Sequence, residues 1–273
     1  MAQRPRGDRD AAERQAKRST PRDRTAGAPS EGPEARVRIA VLGGFDLWVG
    51  DEPAEIPLSS GRLLAFVALC SRAAVPRALI AGTLWPDAPD RCAHANLRSA
   101  LSRLRETGKQ ALDIGASEVR LARGAAVDFQ HARSLAHRIL DPAQNGKHDP
   151  GIATVEALAA DLLPGWYDDW AQLEAERWRQ LRLHALESLA DTFTAAGRYA
   201  EAVAAARTAV HADPLRESSR ICLVRAHLAE GNPSEALHDF NDYAQRLGAE
   251  LGLLPTERLR ELVAGLCTTV APR

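Results

Sequence analysis

Hydrophobic and polar positions alternate with one period near the start of this chain and another further on, and the change divides it. From Arg36 the runs VRIAVLG (37–43), FDLWVG (45–50) and PAEIP (53–57) alternate, with Gly43, Gly44, Gly50 and Asp51 between them. That pattern predicts a small antiparallel sheet of three strands joined by tight turns. The spacing then turns helical. Leu63, Leu64, Phe66, Val67 and Leu69 mark a buried helix over about 61–72, with Ser59 or Ser60 as its cap. Val75 and Pro76 open a second helix that ends at Pro86, with Leu79, Ile80, Leu84 and Trp85 on its core side. A third covers Asp90 to Thr107, with Asp90 as N-cap and Ala93, Leu97, Ala100, Leu101 and Leu104 in one apolar sector. Next, ALDIG and EVRLA flank Gly115-Ala116-Ser117 and predict a hairpin. Beyond residue 125 the pattern is helical throughout.

A sheet, three helices and a hairpin are the layout of a winged helix-turn-helix, whose third helix enters the DNA major groove while the hairpin touches the flanking backbone. The outer side of the third helix fits that use. Arg91, Ala95, Ser99, Ser102 and Glu106 lie opposite the apolar sector, flanked by Arg98 and Arg103. Small residues let the helix approach a groove closely, and arginines at its edges meet phosphates. On this reading Arg91, Arg98, Ser99 and Ser102 contact the groove, and Arg103, Arg105, Arg120 and Arg123 contact phosphate. An ordinary solvated helix face carries the same residue types, so the reading rests on the order of the elements.

The net charge of −1 hides an asymmetry. Residues 36–124 hold 12 basic and 9 acidic residues, whereas residues 125–273 hold 15 and 21. Phosphate repels the second half, so a DNA contact belongs to the first. Residues 1–35 are rich in Arg, Pro, Asp and Gly with few large apolar side chains, which predicts a disordered tail. Three segments follow: a tail (1–35), a winged-helix DNA-binding domain (36–124) and a helical domain (125–273). The fold class is mainly α, a winged helix-turn-helix followed by an all-α repeat domain.

That repeat is visible directly. Ala196-Gly197-Arg198-Tyr199-Ala200-Glu201-Ala202 and Glu230-Gly231-Asn232-Pro233-Ser234-Glu235-Ala236 are offset by 34 residues, the period of tetratricopeptide (TPR) repeats. Small-residue positions fall on Ala202 and Ala209, and the helix-ending proline on Pro214. In the second copy these places hold Ala236, Phe240 and Tyr243, with Gly248 in place of proline.

The runs LGGFDLWVGDEPAEIPLSSGRLLAFVALC, LIAGTLWPDAP and ANLRSALSRLR resemble the OmpR-type winged helix of the Streptomyces antibiotic regulatory protein (SARP) family. Leu84, Trp85, Pro86, Asp87 and Pro89 match its middle element, and Asn96, Leu97, Ser102, Arg103, Leu104 and Arg105 match its recognition helix. The stretch LLPGWYDDWAQLEAERWRQLRLHALESLA and the closing LGAELGLLPTERLRELVAGL resemble the start and end of the bacterial transcriptional activator domain that follows it in that family. Together these cover about residues 36–267. The chain departs from the family at the start of helix one, where a basic segment is common and only Arg62 stands. The resemblance implies a sequence-specific transcriptional activator that binds double-stranded promoter DNA as a homodimer on direct repeats. It further implies recruitment of RNA polymerase holoenzyme, at a secondary-metabolite gene cluster. Alternatives are a repressor, or a protein-interaction module that uses the winged helix for protein contact.

No catalytic constellation or cofactor motif appears, so an enzyme is not expected. Asp168-Asp169 sit at a helix start, where acidic residues favour the helix dipole. Cys92 and His94 lack the second pair a zinc site needs. Trp166, Trp170 and Trp178 read as core of the repeat domain. Four scattered cysteines without a CxxC pair point to reduced thiols in the cytoplasm. No apolar run reaches the roughly 20 residues of a membrane span.

Overall fold

Val37, Ile39 and Val41 are buried while Arg38 between them is exposed, the alternation of a strand with one covered face. The computed structural model describes residues 37–70, 73–104, 108–141, 143 and 150–266. The tail expected at 1–35 lies outside them. In chain order the first half contains β1 (Val37–Ala40), β2 (Asp46–Val49), β3 (Glu52–Pro53), α1 (Leu58–Leu69), β4 (Val75–Pro76), α2 (Arg77–Leu84), α3 (Asp90–Arg103), β5 (Leu112–Ile114), β6 (Glu118–Leu121) and β7 (Ala125–Val127). The second contains α4 (Asp128–Leu140), α5 (Ile152–Ala159), α6 (Asp169–Ala195), α7 (Tyr199–Ala212), α8 (Glu217–Glu230), α9 (Pro233–Leu251) and α10 (Glu257–Ala264). The protein is mainly helical, a winged helix followed by helical pairs.

The first sheet runs β3-β2-β1-β7 and is not purely antiparallel, because β7 pairs parallel with β1 in the register Val37↔Ala125 and Ile39↔Val127. The third strand expected at 53–57 shrinks to two residues. Pro53 and Pro57 lack the N–H a ladder needs, and Pro57 becomes the N-cap of α1. Ser60 therefore lies inside that helix and caps nothing; it is buried, and its hydroxyl donates to the Ala100 carbonyl at 2.8 Å. Val75 and Pro76, expected to open the second helix, instead form β4 against β6, with Val75 opposite Val119. The short α2 buries Ile80, Ala81 and Leu84 but leaves Leu79 55% exposed, since eight residues present only one covered stripe.

Gly197 (φ 73°) turns the chain between α6 and α7, and Gly231 (φ 89°) does so between α8 and α9. Both adopt the left-handed conformation that side chains resist, so the 34-residue offset places glycine where backbone geometry requires it. Ala202, Ala209 and Ala236 are fully buried between the helices, and Tyr243 is buried with its hydroxyl donating to the Leu215 carbonyl at 3.3 Å. α7 ends just before Pro214, but α9 runs past Gly248 and stops at Gly252 (φ 67°). Glycine is merely a poor helix former; it lacks the ring that makes proline terminate a helix.

Between α6 and α8, Glu187 accepts hydrogen bonds from Arg216 Nε (2.8 Å), Ser218 Oγ (2.6 Å) and Ser219 Oγ (2.7 Å). Burial alone raises the pKa of this carboxyl, but those donors outweigh it and hold it below the ordinary glutamate value. A depressed pKa adds stability above the unfolded value of about 4.3, and that stability is lost as pH falls through the folded value. Glu187→Gln should therefore cost about 1–3 kcal/mol at pH 7. Its thermal midpoint should also fall less than that of the unaltered protein between pH 6 and pH 3.5. Equal acid sensitivity of the two, followed by circular dichroism, would remove Glu187 from the account of acid unfolding.

Residue 124 does not separate two cores. One hydrophobic cluster extends from Val37 through Leu64, Leu97 and Phe129 to Leu186 and Ala226. Asp128, at the start of α4, accepts the N–H groups of Val41 (3.0 Å) and Leu42 (3.1 Å). Burial pushes its carboxyl pKa up, opposed by these hydrogen bonds. The Leu163 N–H donates to the Val41 carbonyl at 2.8 Å, and Gly43 N–H to the Asp161 carbonyl at 2.7 Å. Trp166 packs on Phe45 with ring centroids 5.8 Å apart, and Trp170 on Phe66 at 5.3 Å. These two tryptophans thus line the seam between the halves and not the repeat core. Trp178 is buried against Phe129 and donates from Nε1 to the Ala160 carbonyl at 3.0 Å.

Candidate nucleic-acid interface

α3 separates its faces as its periodicity demands. Ala93, Leu97, Ala100, Leu101 and Leu104 are buried, whereas Arg91, Arg98, Ser99, Ser102 and Arg103 are exposed. The helix begins at Asp90 with Pro89 as N-cap, so Asp90 is the first helical residue and makes no side-chain cap. Its carboxylate still lies in the first turn, where the helix dipole favours it. Ser60 of α1 braces α3 from its buried side through the bond to Ala100. The solvent side then presents its cations on a rigid support.

Arg91, Arg98 and Arg103 make no side-chain hydrogen bond or ion pair among the described residues. Arg91 and Arg98 lie on the same side of the helix, and seven residues of α-helix span about 10 Å. Ser102 is partly committed, since its hydroxyl donates to the Ser99 carbonyl at 2.9 Å. Arg105 lies outside the described residues. Arg120 projects from β6 and pairs with Asp113 of β5 at 3.6 Å. Both are about half exposed, so that pair is weak and open to exchange for another anion. Arg123 follows β6 and is exposed.

Two further arginines, Arg62 and Arg77, have definite places. Arg62 does not serve this surface: its guanidinium donates to the Leu84 carbonyl at 3.0 Å and pairs with Asp168. Asp168 is accordingly the N-cap position of α6 without a side-chain capping bond, its carboxylate being taken by Arg62. Arg77, at the start of α2, donates to the carbonyls of Gly115 (3.2 Å) and Ala116 (3.4 Å). It ties that helix to the hairpin tip, a role that nothing in the spacing of Arg77 signals. Among the described residues no group of three or more His, Cys, Asp or Glu side chains could hold a metal, and Cys92 is exposed. No helix among them is long and apolar enough to cross a membrane.

Comparison with known proteins adds two findings. The family described as "Bacterial transcriptional activator domain" matches residues 112–266, more than half of the chain. Among solved structures, Mycobacterium tuberculosis EmbR in complex with a low affinity phosphopeptide aligns with a TM-score of 0.58 at 18% identity. The alignment covers 84% of this chain and 64% of that one, so the chain spans less than two thirds of the length of EmbR. At that identity the likeness is one of fold. No curated protein matches the sequence.

Proposed function

The chain belongs to the bacterial transcriptional activator domain family, in keeping with its SARP resemblance, and on that premise we propose that it activates transcription by binding promoter DNA through α3. One observation carries the reading: α3 is braced by α1 on one side and on the other exposes Arg91, Arg98, Ser99, Ser102 and Arg103, with the three arginines uncommitted among the described residues. Arg91, Arg98, Ser99 and Ser102 approach the groove, where the small serines and Ala95 allow the helix backbone to come close. Arg103, Arg105, Arg120 and Arg123 hold phosphates and set the register. Residues 36–124 form the DNA-binding domain and 125–273 the activator domain. The acidic second half faces away from DNA and makes the protein contacts, with RNA polymerase holoenzyme and with the second protomer. A secondary-metabolite gene cluster in the cytoplasm of a bacterium is the setting that the SARP resemblance favours.

Selection of bound duplexes from a random pool by the full-length chain tests this reading. A direct repeat with half-sites about one helical turn apart is the expected result. An inverted repeat would replace the head-to-tail pair with a symmetric dimer. No enrichment over the input pool would overturn DNA reading and favour a winged helix used for protein contact.

A further inference from the structure

A cleft of about 680 Å³ opens at the seam, bounded by the turn from α2 toward α3 and by the start of α6. Its volume lies within the roughly 300–1,000 Å³ of small-molecule sites, which favour junctions between structural units. Three aromatic side chains line it, Trp85, Tyr167 and Trp170, together with three carboxylates, Asp87, Asp168 and Asp169. Arg62 is the one cation in that lining and is already paired with Asp168. Asp87 and Asp169 are exposed and have no ion-pair partner among the described residues. The N-terminus of α6 adds a partial positive charge, about half an elementary charge, which does not reverse the balance.

Two features of the lining lack a partner among the described residues. Tyr167 is 83% exposed and stacks on no other ring among the described residues. The Trp170 indole N–H is buried without an acceptor among the described residues. Aromatic faces attract cations through their quadrupole, and carboxylates beside them strengthen that attraction. We propose that this cleft binds a small organic cation, an ammonium group carried on an apolar or aromatic body. The ammonium sits between Asp87 and Asp169, and the body lies against Tyr167 and Trp85. Such a ligand touches both the segment that leads into α3 and the first turn of α6.

The test is a titration of the full-length chain with phenethylammonium, followed by tryptophan fluorescence and calorimetry, with neutral 2-phenylethanol as the comparison. Saturable binding of the ammonium is expected, about tenfold or more tighter than that of the alcohol. Tyr167→Ala should weaken it about tenfold, and so should Asp87→Asn combined with Asp169→Asn. All three positions are at the surface, so the thermal midpoints of both variants should stay close to that of the unaltered chain. Equal binding of the alcohol, binding that survives both variants, or no saturable binding would each overturn the proposal. The titration contains no DNA, so its outcome is separate from the reading of α3.

Discussion

A chain ended after Gly124 is expected to lose cooperative thermal unfolding, although it retains every element of the winged helix up to the hairpin. Such a truncation removes β7 from the edge of β1 and Asp128 from the N–H groups of Val41 and Leu42. It also strips Trp166 from Phe45 and Trp170 from Phe66. Full exposure of a single large apolar side chain costs about 1.5–3 kcal/mol, and a domain is stable by only about 5–15 kcal/mol. Partial exposure of Val41, Phe45 and Phe66, with two amide groups deprived of their carboxylate, takes most of that margin. Circular dichroism through a thermal ramp is the measurement. A sharp transition within a few degrees of the full-length chain would show that the halves fold independently and that the seam adds little to either. The result bears on any attempt to localise activation by deleting the helical half. Loss of transcription in such a variant would report unfolding as readily as a missing polymerase interaction.

The second large effect is expected in DNA binding. Arg98→Ala combined with Arg103→Ala should weaken binding to a selected site by roughly 10- to 100-fold at 0.1 M salt. The slope of log affinity against log salt should shrink by about 1, for the phosphate that Arg103 no longer neutralises. Both side chains are exposed and bond to nothing among the described residues, so the thermal midpoint should change little. Affinity and slope that match the unaltered protein across several salt concentrations would remove α3 as the reading element. Weaker binding with an unchanged slope would instead place Arg103, like Arg98, in the groove. The pair thus distinguishes anchoring from reading.

How much of this was legible in the sequence depends on distance along the chain. The buried stripe of α3 and its exposed arginines could be read because a helix repeats its environment every 3.6 residues, within a window of neighbours. Gly197 and Gly231 could be read because a left-handed turn selects glycine at the position itself. Arg62 could not. Its partner Asp168 is 106 residues away, and a guanidinium in a seam has the same letter as one aimed at phosphate. Asp128 and Val41 are likewise 87 residues apart, and the parallel pairing of β7 with β1 leaves no mark on either strand's pattern. Leu79 and Ser60 depart from the expected places for a related reason. Periodicity marks an apolar side of a helix but not how much of it a neighbour covers, and a serine near a helix start reads as a cap whatever carbonyl it reaches.

Local pattern alone therefore establishes the order of the main helices and the hairpin and the inward face of α3, written in residues a few positions apart, while the 34-residue repeat shows as one short motif met twice. Tertiary structure decides which arginines remain available to a ligand, where Trp166 and Trp170 pack, and that one core spans both halves. Those outcomes depend on contacts between distant segments, whose free energy is realised only when the chain closes on itself. The arginines of α3 owe their rigid display to that closure, through Ser60 and the packing of α1, as much as to the helix that carries them.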